Sequence, residues 1–214
     1  SELSRIGPEG LAAIEDARDP EVLAAMRIQV RLSPAVFFAR PPLLPIIACN
    51  LITTSIERGL SYATPNALAL FGIILNAIGQ YPIAHVWGQT AIRLIDRWED
   101  RSLEAATRHV VFNLVCLWMQ PLAGVLESSR EVFDIGRRTG DFEYASYAAH
   151  TYVYLCLYVG RPLVPLLEEA LALGEQMAVL GQINAVHVHL PIEQFLRCLT
   201  DTQADPARLD TGAF

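Results

Sequence analysis

Residues 64–98 carry the sequence TPNALALFGIILNAIGQYPIAHVWGQTAIRLIDRW, whose start and stop signals predict two helices with a short break between them. A proline stands second in both Thr64-Pro65 and Tyr81-Pro82, and proline is favoured in the first turn of a helix. Gly79-Gln80 ends the first helix, because glycine readily adopts the left-handed conformation found after a helix C-terminus. The stretch therefore predicts helices over residues 65–78 and 82–98.

The same punctuation divides the sequence on both sides of this stretch. Further helices are predicted over residues 21–32, 43–56, 102–119, 122–138, 142–159, 162–178 and 182–200, with a short separate segment at 34–39. No run alternates with a period of two and no Asn-Gly or Asp-Gly hairpin turn occurs, so strands are not expected. The connections are short, which makes successive helices antiparallel neighbours. The fold class predicted is all-α, with nine or ten helices.

A repeat is visible in where the helix pairs begin. The pairs start near Pro65, Ser102, Asp141 and Gln182, which are 37, 39 and 41 residues apart. A helix pair of this size cannot bury its apolar face alone, so neighbouring pairs must stack. We therefore predict a right-handed α-solenoid. It forms one array over residues 1–214, with a poorly defined lead-in at 1–19, N-terminal helices at 20–59 and helix-pair repeats at 65–200. Both ends of the sequence suggest a piece excised from a longer protein.

Composition and charge argue against some classes of partner and indicate the cellular compartment. The formal charge of −7 disfavours nucleic acid, which needs clustered cations. The four cysteines form no CxxC pair, so we expect four small buried side chains in a reducing cytoplasm and no zinc or redox site. Residues 59–92 lack any charge, yet polar residues and prolines interrupt every window of about 20 residues. We predict a cytoplasmic chain with no membrane span.

The quoted stretch resembles a tetratricopeptide repeat. The resemblance lies in NALALFG at 66–72, GQYPIA at 79–84 and AIRL at 91–94. Gly72, Ala84 and Ala91 stand at the small-residue positions of that motif, where close helix approach is needed. The sequence departs at Gly88, where the motif prefers an aromatic residue.

Residues 136–150, GRRTGDFEYASYAAH, are similar to the helical region of very large bacterial signalling proteins. Those proteins join a serine/threonine kinase, a predicted AAA/NACHT-type ATPase, a tetratricopeptide-like array and often a histidine kinase. The resemblance spans roughly residues 20–205. It implies a non-catalytic sensor or interaction module between an ATPase and an output domain.

Sequence motifs for common chemistries are missing. No GxxxxGK[ST], GxGxxG, HExxH, GxSxG or HRD string occurs in the chain, so nucleotide binding and hydrolysis lack their usual residues. We expect neither an enzyme nor a bound cofactor.

Three histidines follow the repeat. His109, His150 and His187 fall in the first helices of successive pairs, 41 and 37 residues apart. First helices line the concave side of such an array, where imidazoles can contact a polar ligand. The alternative is three unrelated histidines that pack or cap helices. A metal site is not expected, because helix rungs lie about 10 Å apart.

An aromatic stripe surrounds the second of these histidines. Tyr147, His150, Tyr154 and Tyr158 share one helical face by their spacing. His109 and Asn113, four residues apart, are candidates to face this stripe from the preceding rung. Tyrosine joins apolar area to a polar tip, as at many binding surfaces. The stripe predicts a groove for a peptide or small effector, and core packing is the alternative.

Two functions fit these observations. The first is an interaction or sensor module that binds a partner segment or small effector and relays a change to flanking ATPase or kinase domains. Its partners would be other domains of the parent protein or a separate protein or peptide. The alternative is a structural spacer or dimerisation scaffold with no ligand of its own, in which a homodimer is expected. Fold alone does not choose between them.

Overall fold

The computed structural model describes residues 2–200, and the described residues are helical throughout apart from short connections and one isolated bridge between Asp16 and Leu60. Residues 2–200 form ten α-helices: α1 Glu2–Ala12, α2 Pro20–Ala39, α3 Leu44–Arg58, α4 Thr64–Ala77, α5 Tyr81–Ile95, α6 Glu104–His109, α7 Leu122–Thr139, α8 Phe142–Tyr158, α9 Leu163–Val179 and α10 Ile183–Thr200. The predicted all-α class is therefore confirmed. Helix α6 continues into a π-helical turn, Val110–Val115, and then a short 3-10 turn, Cys116–Trp118.

Three helices differ from the prediction. A single helix was predicted over residues 102–119, but α6 ends at His109 and the π-helical and 3-10 turns follow it. Helix α1 lies in the segment for which the sequence suggested only a lead-in. Helix α2 runs through Pro34, where a break was predicted. A proline inside a helix cannot donate to the carbonyl four residues earlier. The hydroxyl of Ser33 instead donates to that carbonyl, on Val30, at 2.6 Å, so the helix continues with its acceptor satisfied.

The chain divides into two compact units, Ser1–Gln120 with α1 to α6 and Pro121–Phe214 with α7 to α10. From α2 onward, helices adjacent in sequence pack against each other within each unit, and α1 packs against α5. Alternate helices also meet: α4 packs against α6 and the π-helical turn, and α8 packs against α10. The single array over residues 1–214 stays a prediction.

In the first unit, α4 and α5 lie unusually close to the π-helical turn. A Cβ on Gly72 would stand 2.8 Å from the Val115 side chain, and one on Gly88 would be 3.3 Å from Val111 and Val115. An aromatic residue at Gly88 would therefore clash with the turn, which explains the departure from the repeat motif. The amide of Asn76 donates to the carbonyls of Leu114 and Val115 at 3.1 and 3.0 Å, satisfying acceptors in the distorted turn.

The core of the second unit is shared by α8, α9 and α10. Its central cluster consists of Tyr152, Val153, Cys156, Leu166, Ala170, Ile192 and Leu196. Cys116, Cys156 and Cys198 are buried and Cys49 is exposed, so the prediction of four buried cysteines is wrong for Cys49. That residue lies on the outer side of α3, where the charge-free sequence gave no sign of exposure.

Helix α2 is, by length and hydropathy alone, able to cross a membrane, with a mean hydropathy of 1.4 over its most apolar 18 residues. It is the one such helix among residues 2–200. Arg27 and Arg31 lie within it, and its Met26, Val30 and Ser33 are buried against protein. The predicted absence of a membrane span stays a prediction.

Candidate functional site

The aromatic stripe of α8 runs from the core of the second unit to its surface. Tyr147 is 8% exposed, His150 and Tyr154 are half-buried, and Tyr158 is 67% exposed. Asp141 fixes the start of the helix by accepting a hydrogen bond from the backbone N–H of Tyr144 at 3.3 Å. The rings of His150 and Tyr154 meet edge to face with centroids 4.9 Å apart, and those of Tyr154 and Tyr158 lie 6.1 Å apart. His150, Tyr154 and Tyr158 thus form a continuous series of neighbouring rings.

Tyr147 belongs to the core end of this stripe. Its ring packs in a cluster with Ala149, Met177 and Ala185. The hydroxyl donates to the Glu143 carboxylate at 3.2 Å. Burial, followed by the charge of Glu143, raises the pKa of Tyr147. For this residue the structure agrees with the core-packing alternative.

His150 contacts a second histidine from α10. His189 is fully buried, and its Nδ1 atom lies 3.4 Å from Nδ1 of His150. The Nε2 atom of His189 is 2.9 Å from the carbonyl oxygen of Ala170 on α9. A carbonyl only accepts, so Nε2 of His189 carries a proton. In the neutral ring, Nδ1 of His189 is then an acceptor and Nδ1 of His150 donates to it, which leaves Nε2 of His150 as an acceptor.

The surroundings of both imidazoles favour their neutral forms. Burial, with a smaller effect of His189, lowers the pKa of His150 to about 4. Burial also lowers the pKa of His189, against the opposing effect of its bond to the Ala170 carbonyl. An uncharged pair fits the hydrogen-bond chain, because only neutral His189 offers an acceptor to His150.

A carboxylate lies at the edge of this pair. Oε1 of Glu193 is 3.6 Å from Nε2 of His189, and its side chain is 13% exposed. Burial raises the pKa of Glu193, partly opposed by Arg197. A side chain at Gly174 on α9 would overlap the Glu193 carboxylate and come within 3.3 Å of the His189 ring. We call His150, His189, Glu193 and the Ala170 carbonyl the histidine cluster; it joins α8, α9 and α10.

The histidine of α10 that contacts His150 is His189, which was not among the predicted groove residues. His187, which was predicted to line the groove, is exposed. Residues two positions apart on a helix point about 200° away from each other, so only one of these histidines can face α8. The buried positions Ala185, His189, Ile192 and Leu196 follow a helical period, and this period was the signal that marks His189.

The other two predicted residues lie in the first unit and bind each other. Nδ2 of Asn113 is 3.0 Å from Nδ1 of His109, and the two residues are 2% and 6% exposed. An amide nitrogen only donates, so His109 accepts at Nδ1. The described residues therefore form two separate histidine groups, one in each unit.

The second unit also contains a cleft between α7, α8 and α9, of about 190 Å³. Two charged residues that line it, Arg130 and Glu169, are engaged in contacts. Nη1 of Arg161 donates to the Tyr152 hydroxyl at 2.6 Å and lies 3.2 Å from Oε2 of Glu169. Arg130 stands over the Tyr152 ring, 5.5 Å from its centroid. These contacts link the three helices, and we assign the cleft a structural role.

Comparison with known proteins points to a signalling protein. No family model matches the chain, and no solved structure matches it. The chain is 24% identical over 151 residues to hybrid signal transduction histidine kinase G of Dictyostelium discoideum. The alignment covers 67% of this chain and 4% of that protein, so the chain spans a small part of the relative's length. The relative comes from an amoeba, and the predicted bacterial family is not confirmed.

Proposed function

We propose that this chain is a non-catalytic interaction module of a signalling protein, which binds a partner segment on the face formed by α8 and α10. The signalling context is supported by the likeness to a protein named a hybrid signal transduction histidine kinase. The partner is another domain of a larger protein or a separate peptide, and a small effector is the second kind of ligand that fits. The module works in the cytoplasm and needs no cofactor.

The proposed architecture is a right-handed tetratricopeptide-like solenoid. Two features support it. Alternate helices pack against each other within each unit, α4 against α6 and α8 against α10, as the first helices of stacked pairs do. The predicted small-residue positions, Gly72, Ala84 and Ala91, are all buried. In this architecture α8 and α10 are first helices and line the concave side.

The observation that carries the proposal is the gradient along the α8 stripe. The buried His189 contacts His150, and the Tyr154 ring packs edge to face against His150. Tyr158 in turn packs against Tyr154, and most of its side chain is exposed. Rings held in this way offer contact area at a small cost in side-chain entropy. The buried end of the stripe supplies rigidity and the exposed end supplies the binding surface, to which Tyr154 and Tyr158 contribute most.

A non-catalytic role suits the chemistry of the histidine cluster. Both nitrogens of His189 are engaged, by His150 and by the Ala170 carbonyl. Lowered histidine pKa values favour rings that stay neutral near pH 7, and the bonds of the cluster hold three helices together. We infer that it positions the stripe and transfers no proton to a substrate.

The test is site-directed crosslinking in cells that express the protein carrying this chain. A photo-reactive amino acid is placed at position 158, and a matched control is placed at Val179, which is 87% exposed on α9. We expect adducts from position 158 to map to one discrete segment and to fall at least fivefold with Tyr154→Ala. Equal adducts from both positions, or none from position 158, would contradict the proposal.

The scaffold alternative is favoured by one observation, the exposed apolar residues of α2, among them Ile28, Leu32 and Phe38. A spacer or homodimer would cover such residues without any ligand. Sedimentation of the purified chain over a hundredfold range of concentration separates the two ideas. Self-association that leaves position 158 without adducts supports the scaffold.

A further inference from the structure

Residues 22–56 form a basic region in an acidic protein. This stretch, which covers most of α2 and α3, contains Arg27, Arg31 and Arg40 and not one Asp or Glu. The whole chain has a formal charge of −7. Charge of one sign concentrated on one element attracts a partner of the opposite sign and speeds its association.

The outer face of α2 is apolar and regularly spaced. Ala24, Ile28, Leu32 and Ala35 are all exposed, and Ile28 and Leu32 are 60% and 50% exposed. We call these four residues the α2 stripe. They follow one helical ridge over about 17 Å, or three turns. The opposite side of α2 is occupied, since Met26 and Val30 are buried and Gln29 accepts a hydrogen bond from Asn50 of α3 at 2.7 Å.

Two arginines line one edge of this stripe. Arg27 and Arg31 each precede an apolar stripe residue by one position, and both are exposed. Within the described part of the chain neither is engaged in an ion pair. Their charges act to lower the pKa of Tyr62, which burial and Asp100 raise by more. Two cationic groups one helical turn apart are therefore available to a partner.

We infer that the α2 stripe and its arginines are a docking surface for an acidic amphipathic helix of another protein segment. Apolar residues spaced by four form the ridge that packs into a facing helix, and the alanines at both ends let the backbones approach closely. The partner helix would carry apolar residues at i, i+4 and i+7, with Glu or Asp on one flank to pair with Arg27 and Arg31.

Charge and shape favour this occupant over two others. A second copy docked through the same face would bring Arg27 and Arg31 of both molecules together, and like charges repel. A lipid surface gains little from Ala24 and Ala35, whereas a helix gains close contact from them. This inference concerns the first unit and is independent of the α8–α10 face.

The test uses two synthetic helical peptides of 18 residues. Both carry Leu at i, i+4, i+7 and i+11, and their flanking residues are Glu in one peptide and Lys in the other. Binding to the purified chain is followed by fluorescence anisotropy. We expect the acidic peptide to bind at least tenfold more tightly than its basic twin, and its affinity to fall as salt rises from 50 to 500 mM.

Variants locate the surface. Arg27→Glu with Arg31→Glu should weaken acidic-peptide binding at least tenfold, and Ile28→Ser with Leu32→Ser should do the same. Arg137→Glu with Arg138→Glu, an exposed pair at the end of α7, is the matched charge control and should leave binding within twofold. Circular dichroism checks that each variant remains helical. If a variant does not fold, the comparison of the two peptides and the salt titration, both made on the unaltered chain, still test the inference.

Three results would overturn the inference. They are equal binding of the two peptides, binding of neither, and binding of phosphatidylserine vesicles in place of the acidic peptide. Because Tyr154 and Tyr158 are untouched, each of these results leaves the proposed function to its own crosslinking test.

Discussion

The two buried histidine groups of this chain are held in different ways. His109 is bonded to Asn113, four residues along the same continuous helical segment. His150 is bonded to His189, 39 residues away, and His189 is bonded in turn to a carbonyl of a third helix. The first group satisfies polar atoms locally, while the second ties three helices together. Breaking the second should therefore cost more free energy of unfolding than breaking the first.

The largest effect is expected for His189→Ala. The substitution removes a fully buried ring, leaves a cavity, and strips the partners from the His150 N–H and the Ala170 carbonyl. We expect a loss of about 3–4 kcal/mol in the free energy of unfolding, measured by urea denaturation. His187→Ala is the matched control on the exposed side of α10 and should change stability by less than about 0.5 kcal/mol. Equal losses for the two variants would contradict the described arrangement.

A somewhat smaller effect is expected from acid. The pKa of His150 is lowered from 6.5 to about 4 in the folded chain, so between these values the unfolded chain binds more protons. The contribution of His150 to the free energy of unfolding is fully present above pH 6.5. It falls by about 3 kcal/mol at most as the pH drops through 4. His189, whose pKa is also lowered, acts in the same direction. Glu193 opposes both, since its raised pKa favours the folded chain as the pH falls.

The variant His150→Gln isolates the contribution of His150 from those of His189 and Glu193. Urea denaturation of both proteins at pH 4.5 and pH 7 should show a smaller difference between the two pH values for the variant. An unchanged difference would mean that His150 does not titrate as described.

The smallest effect is expected for Asn113→Ala. It leaves the buried His109 Nδ1 without its donor but disturbs one helical segment only. A loss of about 1 kcal/mol is expected, with no change in the pH dependence that His150 causes. The losses in free energy of unfolding for His189→Ala and Asn113→Ala, measured under the same conditions, test the comparison between the two histidine groups. A larger loss for Asn113→Ala would contradict it.

Local signals were sufficient wherever structure is set by neighbours in the sequence. Thr64-Pro65 and Tyr81-Pro82 place the starts of α4 and α5 within one residue, and the i, i+4 spacing anticipates the proximity of His109 and Asn113. The continuation of α2 through Pro34 has no such local signal, because a proline usually ends a helix and the Ser33 hydroxyl takes the place of the missing backbone donor.

What the sequence did not predict depended on contacts between distant residues. His187 and His189 lie on opposite sides of α10, so which of them meets His150 depends on which side of α10 faces α8. The π-helical turn has no local signal either, since one of its stabilising donors, Asn76, lies 38 residues from the Leu114 carbonyl that it binds. Gly88 departs from the repeat motif because of contacts with Val111 and Val115, which are also distant in the sequence.

The π-helical turn also sets how this part of the chain can change in length. Such turns close with an i→i+5 bond and hold about one residue more than an α-helical turn. Deleting one residue between Val110 and Val115 would let the turn close as an α-helical turn, and the residues after it would keep nearly their present faces because the π-helical turn absorbs the extra residue. The widened turn that brings Val115 against Gly72 and Gly88 would be lost, so space would open beside both glycines. The extra residue and the two glycines therefore depend on one another, and a one-residue deletion in the turn should be tolerated best when Gly72 or Gly88 is replaced by a larger residue.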